Sequence, residues 1–217
     1  MDFPLFLYRL SGWAVILTNV SLAIYAIKTK QMWQGKYVYL SILFCFSAFT
    51  NVVSGITALL LMNNLFLEYF SSPASFILKG LFLRDDHKNK WIRNGVIVII
   101  TIFVMITAFT AIYKDGYKEI GTASLIINRS FYILFTILNL TLLFKNKPEA
   151  TKLRQNPDFW FTATMLCFAF FGLISSIIID ISYEAGSDNV LYAIFISENL
   201  INILIYYGYF KAMKLFR

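Results

Sequence analysis

Apolar runs of about twenty residues alternate with short polar segments along nearly the whole chain. The runs cover 4–27, 37–62, 65–83, 95–113, 122–144, 160–182 and 190–210. Each has roughly the length a helix needs to cross about 30 Å of hydrocarbon. The pattern predicts an all-α membrane protein of seven transmembrane helices, occupying residues 1–217 as a single membrane domain.

The polar segments give the series a direction. Fourteen of the 19 Lys and Arg residues fall in four clusters. Lys28, Lys30 and Lys36 follow the first run, and Arg84, Lys88, Lys90 and Arg93 follow the third. Lys145, Lys147, Lys152 and Arg154 follow the fifth, and Lys211, Lys214 and Arg217 follow the seventh. The intervening segments contrast with these. Asn63-Asn64 and the stretch from Tyr183 to Asn189 carry no basic residue, while Lys114 and Lys118 are balanced by Asp115 and Glu119. Basic residues stay on the cytoplasmic side, so the N-terminus is expected outside and the C-terminus inside. The third run is the least apolar, with Glu68, Pro73, Lys79 and Gly80. If it did not cross, every later basic cluster would change sides, so seven crossings keep the pattern whole. Pro73 is expected to kink that helix, with neighbouring hydroxyls satisfying the freed carbonyl.

Composition sharpens the reading at two points. With 59% of 217 residues apolar and 14% charged, the chain carries more hydrocarbon than a soluble core of this size can enclose. The net charge of +7 does not indicate nucleic acid, because the basic residues are divided among short loops rather than gathered on one face. Cys45 and Cys167 lie within apolar runs, without metal or redox spacing, and read as packing residues. The start of the chain has no basic n-region and no A-x-A site after the first run, so that run is expected to be retained. Richness in Ile, Phe, Asn and Lys with compact loops points to a bacterial inner membrane, and to a multi-pass cell-membrane protein.

The first three runs match the last three at a nearly constant offset. Arg9 and Asn19-Val20-Ser21-Leu22 align with Arg129 and Asn139-Leu140-Thr141-Leu142 at an offset of 120. Phe44-Cys45-Phe46-Ser47-Ala48-Phe49 aligns with Leu166-Cys167-Phe168-Ala169-Phe170-Phe171 at 122, and Phe70-Ser71-Ser72 with Phe195-Ile196-Ser197 at 125. Apolar segments also align by chance, so the costly Arg and Asn matches carry most of the weight. A parallel repeat would comprise a first three-helix unit at 1–83, an inverting linker helix at 95–113 and a second unit at 122–210. This 3+1+3 plan resembles SWEET-type sugar transporters, PnuC-type vitamin transporters and the opsin-like seven-helix group in topology alone. The repeated helix prolines of the first and the paired tryptophans of the second are missing. The seventh run also has no lysine for a retinal Schiff base. Resemblance of topology assigns no substrate.

Chemistry is to be sought among polar residues within the runs, where an ionised group costs around 2.5–3.5 kcal/mol at the bilayer centre. Arg129 and Glu198 share a depth to within about one helical turn. Glu198, Asn199, Asn202 and Tyr206 form a stripe on the seventh helix, and Asn128, Tyr132 and Asn139 share a face of the fifth. Asn51, beside Thr50 and Ser54, and Asn19, beside Thr18 and Ser21, are polar positions in the second and first helices. Arg9, Glu68 and Asp180 lie nearer the outer interface. Two readings stand. In one, Arg129–Glu198 is a buried ion pair, amides and hydroxyls join helices, and the outer charges snorkel to headgroups. In the other, Arg129, Glu198, Asn128, Asn199, Asn202, Tyr132, Asn139, Asn51, Asn19 and Arg9 line an outward-facing, ligand-binding pocket. Three Asn-x-Ser/Thr sequons, at Asn19, Asn128 and Asn139, fall within membrane spans and are not glycosylation candidates. His87, the only histidine, sits in a charged loop beside Asp85 and Asp86 and reads as solvated.

An enzyme is not expected. One histidine in a loop excludes haem ligation by paired histidines and the several His or carboxylate ligands of an intramembrane zinc hydrolase. No G-x-S-x-G elbow or Gly-rich phosphate loop is present. No cofactor or metal is expected. The leading expectation is a small-molecule transporter or permease for a polar or anionic ligand. The alternative is a receptor-like or accessory subunit acting through a separate protein partner.

Overall fold

A computed structural model of the chain describes residues 3–60, 65–85, 87–113, 122–146, 153–184 and 188–216. Asn63, Asn64, Asp86, Lys114, Asp115, Lys118, Glu119, Lys147, Lys152 and Arg217 lie outside the described residues. The backbones of Glu68, Asn128 and Asp180 are helical, and their side chains lie outside the description. The described residues form seven long α-helices: α1 (Phe3–Lys28), α2 (Tyr37–Leu59), α3 (Leu65–Arg84), α4 (Lys90–Tyr113), α5 (Thr122–Asn146), α6 (Pro157–Glu184) and α7 (Asp188–Lys214). Five of them are long and apolar enough to cross a membrane, at Phe3–Lys28, Tyr37–Thr57, Lys90–Phe109, Pro157–Ile178 and Val190–Lys214. Such an array of apolar helices is the build of an integral, multi-pass membrane protein.

Two helices begin three or more residues earlier than their apolar runs, and capping explains both. α4 starts at Lys90, where the Asn89 side chain accepts a 2.9 Å hydrogen bond from the Trp91 amide. Its first turn is exposed, with Trp91 at 86%. α6 starts at Pro157, whose missing amide proton suits a first helical position. There Asn156 accepts a 3.1 Å bond from the Asp158 amide.

The chain divides into two compact units, one of Met1–Leu22 with Leu125–Arg217 and one of Ala23–Ser124. In the unit of Ala23–Ser124, α3 packs against both α2 and α4. Phe76 of α3 meets Phe103 of α4 with ring centroids 4.1 Å apart, and both are buried. Gly80 lets α4 approach closely, since a β-carbon there would lie 2.7 Å from Ile100 Cδ1. A 3-10 helix at Lys30–Trp33 tucks Met32 against α2, where the Ser41 hydroxyl donates to the Met32 carbonyl at 2.6 Å. Gly35, at φ +53°, makes the turn into α2. Lys36 then lies over the rings of Tyr37 and Phe82, at 5.5 and 5.1 Å.

The α3–α4 corner is tied by Asp85, which accepts from Arg84 at 2.7 Å and faces Arg93 at 3.8 Å. His87 lies in this corner, and here the structure corrects its reading as a solvated loop residue. Its side chain is buried, only 4% exposed. That burial holds its pKa below the usual 6.5. The folded protein therefore prefers neutral histidine and binds fewer protons than the unfolded chain. The associated stability is present above about pH 6.5 and lost as pH falls through the lower folded pKa. Thermal unfolding of detergent-solubilised protein between pH 8 and pH 5 is expected to show a midpoint that falls on acidification, and His87→Gln to flatten that fall.

Candidate functional site

All the predicted site residues except Asn51 belong to the unit of Met1–Leu22 with Leu125–Arg217. Asn51 is half-buried on α2 of the other unit.

Helices α1 and α7 meet along a polar and aromatic seam. The Tyr8 ring lies 5.8 Å from those of Tyr192 and Phe195. The Asn199 amide donates to the Ser11 hydroxyl at 3.0 Å, and the Asn19 amide to the Tyr206 hydroxyl at 3.3 Å. Partners advance together along both helices, so α1 and α7 run parallel. Of the predicted residues, this seam brings together Asn19 and Asn199 with α7 and α1 respectively, whereas Arg9 is exposed. The partners Ser11 and Tyr8 were not predicted. Their signal was available only as spacing from Asn19 on a shared helical face.

Arg129 on α5 sits against α6. Its guanidinium lies 4.2 Å from the centre of the Phe168 ring, and its Nη1 donates to the Phe168 carbonyl at 3.5 Å. The group also rests on the backbone of Gly172, where a β-carbon would stand 2.6 Å from Cζ and 2.8 Å from Nη1. A flat cation thus has an aromatic face on one position and bare backbone on the next turn. Arg129 is half-buried, and Tyr132, one turn further along α5, is buried.

Register places the acidic candidate at the same height. α5 and α6 are antiparallel, with Arg129 opposite Phe168 and Gly172, and Phe144 opposite Phe159. α6 and α7 are antiparallel too, with Thr164 against Gly208, Phe161 near Tyr209, and Trp160 beneath Lys211 at 3.8 Å. Eight residues beyond Thr164 is Gly172, and eight before Gly208 is Leu200. Glu198 and Asn199 are therefore level with Gly172 and with the guanidinium. Glu198 also heads a helical stripe with Ile205, Tyr209 and Ala212, all buried, which directs it into this unit. Asn202 shares that stripe and is half-buried. Asn139 lies deeper on α5 and is 1% exposed, as is Asn19 on α1.

Nine hydroxyls of these helices take no part. Thr18, Ser21, Thr57, Thr101, Thr107, Thr136, Thr141, Ser176 and Ser197 donate to the carbonyl four residues earlier on their own helix. They are satisfied locally, which removes them as helix-to-helix links through those protons. Among the described residues no group of three or more His, Cys, Asp or Glu side chains could hold a metal ion. In comparisons with family models, curated proteins and solved structures, nothing matches this chain.

The two close glycines are expected to behave differently. Gly208→Ala drives a β-carbon into the short, branched side chain of buried Thr164, which has nowhere to swing, and should destabilise by about 1–3 kcal/mol. Gly172→Ala meets only the end of a long arginine, so the guanidinium should move with a smaller loss. Thermal midpoints of the two variants in detergent check this order.

Proposed function

We propose that this membrane protein is a transporter or permease for a small polar solute bearing a carboxylate or phosphate, with Arg129 as its anion-reading group. The observation that carries the reading is the seat of Arg129. Phe168 and Gly172 hold the plane of the guanidinium, and a planar fork held in one orientation suits bidentate recognition of an anion. Glu198, level with it, supplies the opposing charge that tunes the site, and the Asn19–Tyr206 and Asn199–Ser11 pairs supply hydrogen-bonding groups nearby in α1 and α7. Tyr132, Asn139 and Asn202 complete the polar lining.

The protein crosses the membrane seven times in this reading, amino end outside and carboxyl end inside. The parallel course of α1 and α7 supports an odd total number of passes. Supporting a 3+1+3 repeat, with units at 1–83 and 122–210 about a linker at 95–113, the matched residues Asn19 and Asn139 are both 1% exposed. Rocking of one parallel unit against the other is the motion such a plan permits.

Purified protein in liposomes, assayed with a panel of labelled carboxylates and phosphate esters, should take up at least one of them. Arg129→Gln should lower its apparent affinity roughly 10- to 100-fold, the effect of losing a charge-assisted bond, with Arg129→Lys intermediate. A folded protein inert to the whole panel, copurifying in equal amount with one other protein, would instead establish the accessory-subunit role. Terminal tags should be reached by protease from opposite faces of sealed vesicles. Tags on one face would end the seven-pass scheme.

A further inference from the structure

Ten residues beyond Arg129, α5 buries Asn139 to 1% exposure, and neither its Nδ2 nor its Oδ1 has a hydrogen-bond partner among the described residues. Thr162 on α6 is 0% exposed, and its Oγ1 is likewise without a partner. The two belong to one unit and one level. Phe144 of α5 stands opposite Phe159 of α6. Asn139 lies five residues before the first and Thr162 three after the second, a difference of about 3 Å in height at 1.5 Å per residue.

Thr162 differs from two other buried threonines. Buried Thr107 and Thr136 both give their proton to the carbonyl four residues back. Thr162 leaves that bond unmade, so its hydroxyl stays available. The amide offers a donor and an acceptor, and the hydroxyl offers both. A cation would satisfy the two oxygens and oppose the Nδ2 donor, while an anion would do the reverse. Water satisfies all three atoms, and it needs two to four polar partners to be held.

We propose that Asn139 and Thr162 frame a hydrated inner site in the α5–α6 seam, so that an aqueous path runs past Arg129 toward the opposite face. Its role as a second station for the solute rests on the transport reading. The hydration itself does not.

The test uses the full chain with Cys45→Ala and Cys167→Ala as background. Cysteine is introduced singly at Asn139, at Thr162, at buried Phe161 and at outward-facing Leu138, and labelled with a charged, water-soluble methanethiosulfonate in reconstituted vesicles. Asn139→Cys and Thr162→Cys should react at least tenfold faster than the Phe161→Cys and Leu138→Cys controls. Equal rates at all four positions would overturn the proposal. Should Asn139→Cys fail to fold, the near-isosteric Thr162→Cys carries the test alone. Labelling needs no solute, so a hydrated site in a protein that transports nothing would retain this inference and remove only its role as a solute station.

Discussion

In hydrocarbon no water is present to bond a stray backbone amide, so each crossing segment must satisfy its main chain internally. That constraint fixes the α-helix as the element of this protein before any side chain is considered. It also decides which side chains can link helices. Serine and threonine have a nearby carbonyl on the turn behind them, and nine of those named in the spans donate there. An asparagine amide has more polar atoms than its own helix readily supplies, and a tyrosine hydroxyl lies too far from its own backbone. The contacts that join α1 to α7 accordingly use Asn19, Asn199 and Tyr206, with Ser11 as an acceptor. Helix recognition here is written in amides and phenols.

The same constraint acts more harshly on charge. Arginine at depth needs compensation, and Arg129 obtains part of it from the quadrupole of Phe168 and from a main-chain carbonyl. Gly172 is what allows the approach, because any β-carbon would occupy the guanidinium's place. The seat depends on shape as much as on charge. Lysine would lack the flat face that Phe168 and the glycine backbone accept. Toward the basic end of the same unit, Lys211 uses Trp160 in a similar way, while the indole N–H donates to the Arg154 carbonyl at 2.9 Å. Aromatic rings thus act as counter-surfaces for cations at two depths.

Helix positions were legible in the apolar runs because a bilayer imposes one period and one length on every crossing. At two helix starts that differ from expectation, polar chemistry is the reason. Asn89 and Asn156 cap helices that hydropathy alone begins later, at 95 and 160. The candidate site was legible only as a set of costly residues. Arg129, Glu198 and the asparagines announce themselves by being expensive in lipid, but their partners do not. Phe168 is one phenylalanine among 22 and Gly172 one glycine among 10, so nothing in the chain marks them as a seat. Register between helices, which a single sequence does not carry, is what singles them out. His87 departs from expectation for a related reason, since the burial of a loop residue depends on tertiary packing that a single sequence does not carry.

Packing alone would be met more cheaply. Leucine at position 129 with alanine at 172 would fill the α5–α6 seam without desolvating a cation, and leucine and valine at 139 and 162 would leave no polar atom unbonded. The chain departs from that solution at four positions of α5 and α6. Two of the departures are coupled, because the arginine fits only where the glycine is. Local rules broken together on neighbouring helices are what a functional site would lead one to expect. Elsewhere the same unit buries apolar residues such as Leu22, Phe161, Met165 and Met213 together with a few polar ones, Asn19 and Thr164 among them. Helix packing would not require the costs met at Arg129, Gly172, Asn139 and Thr162, and the transport proposal rests on them.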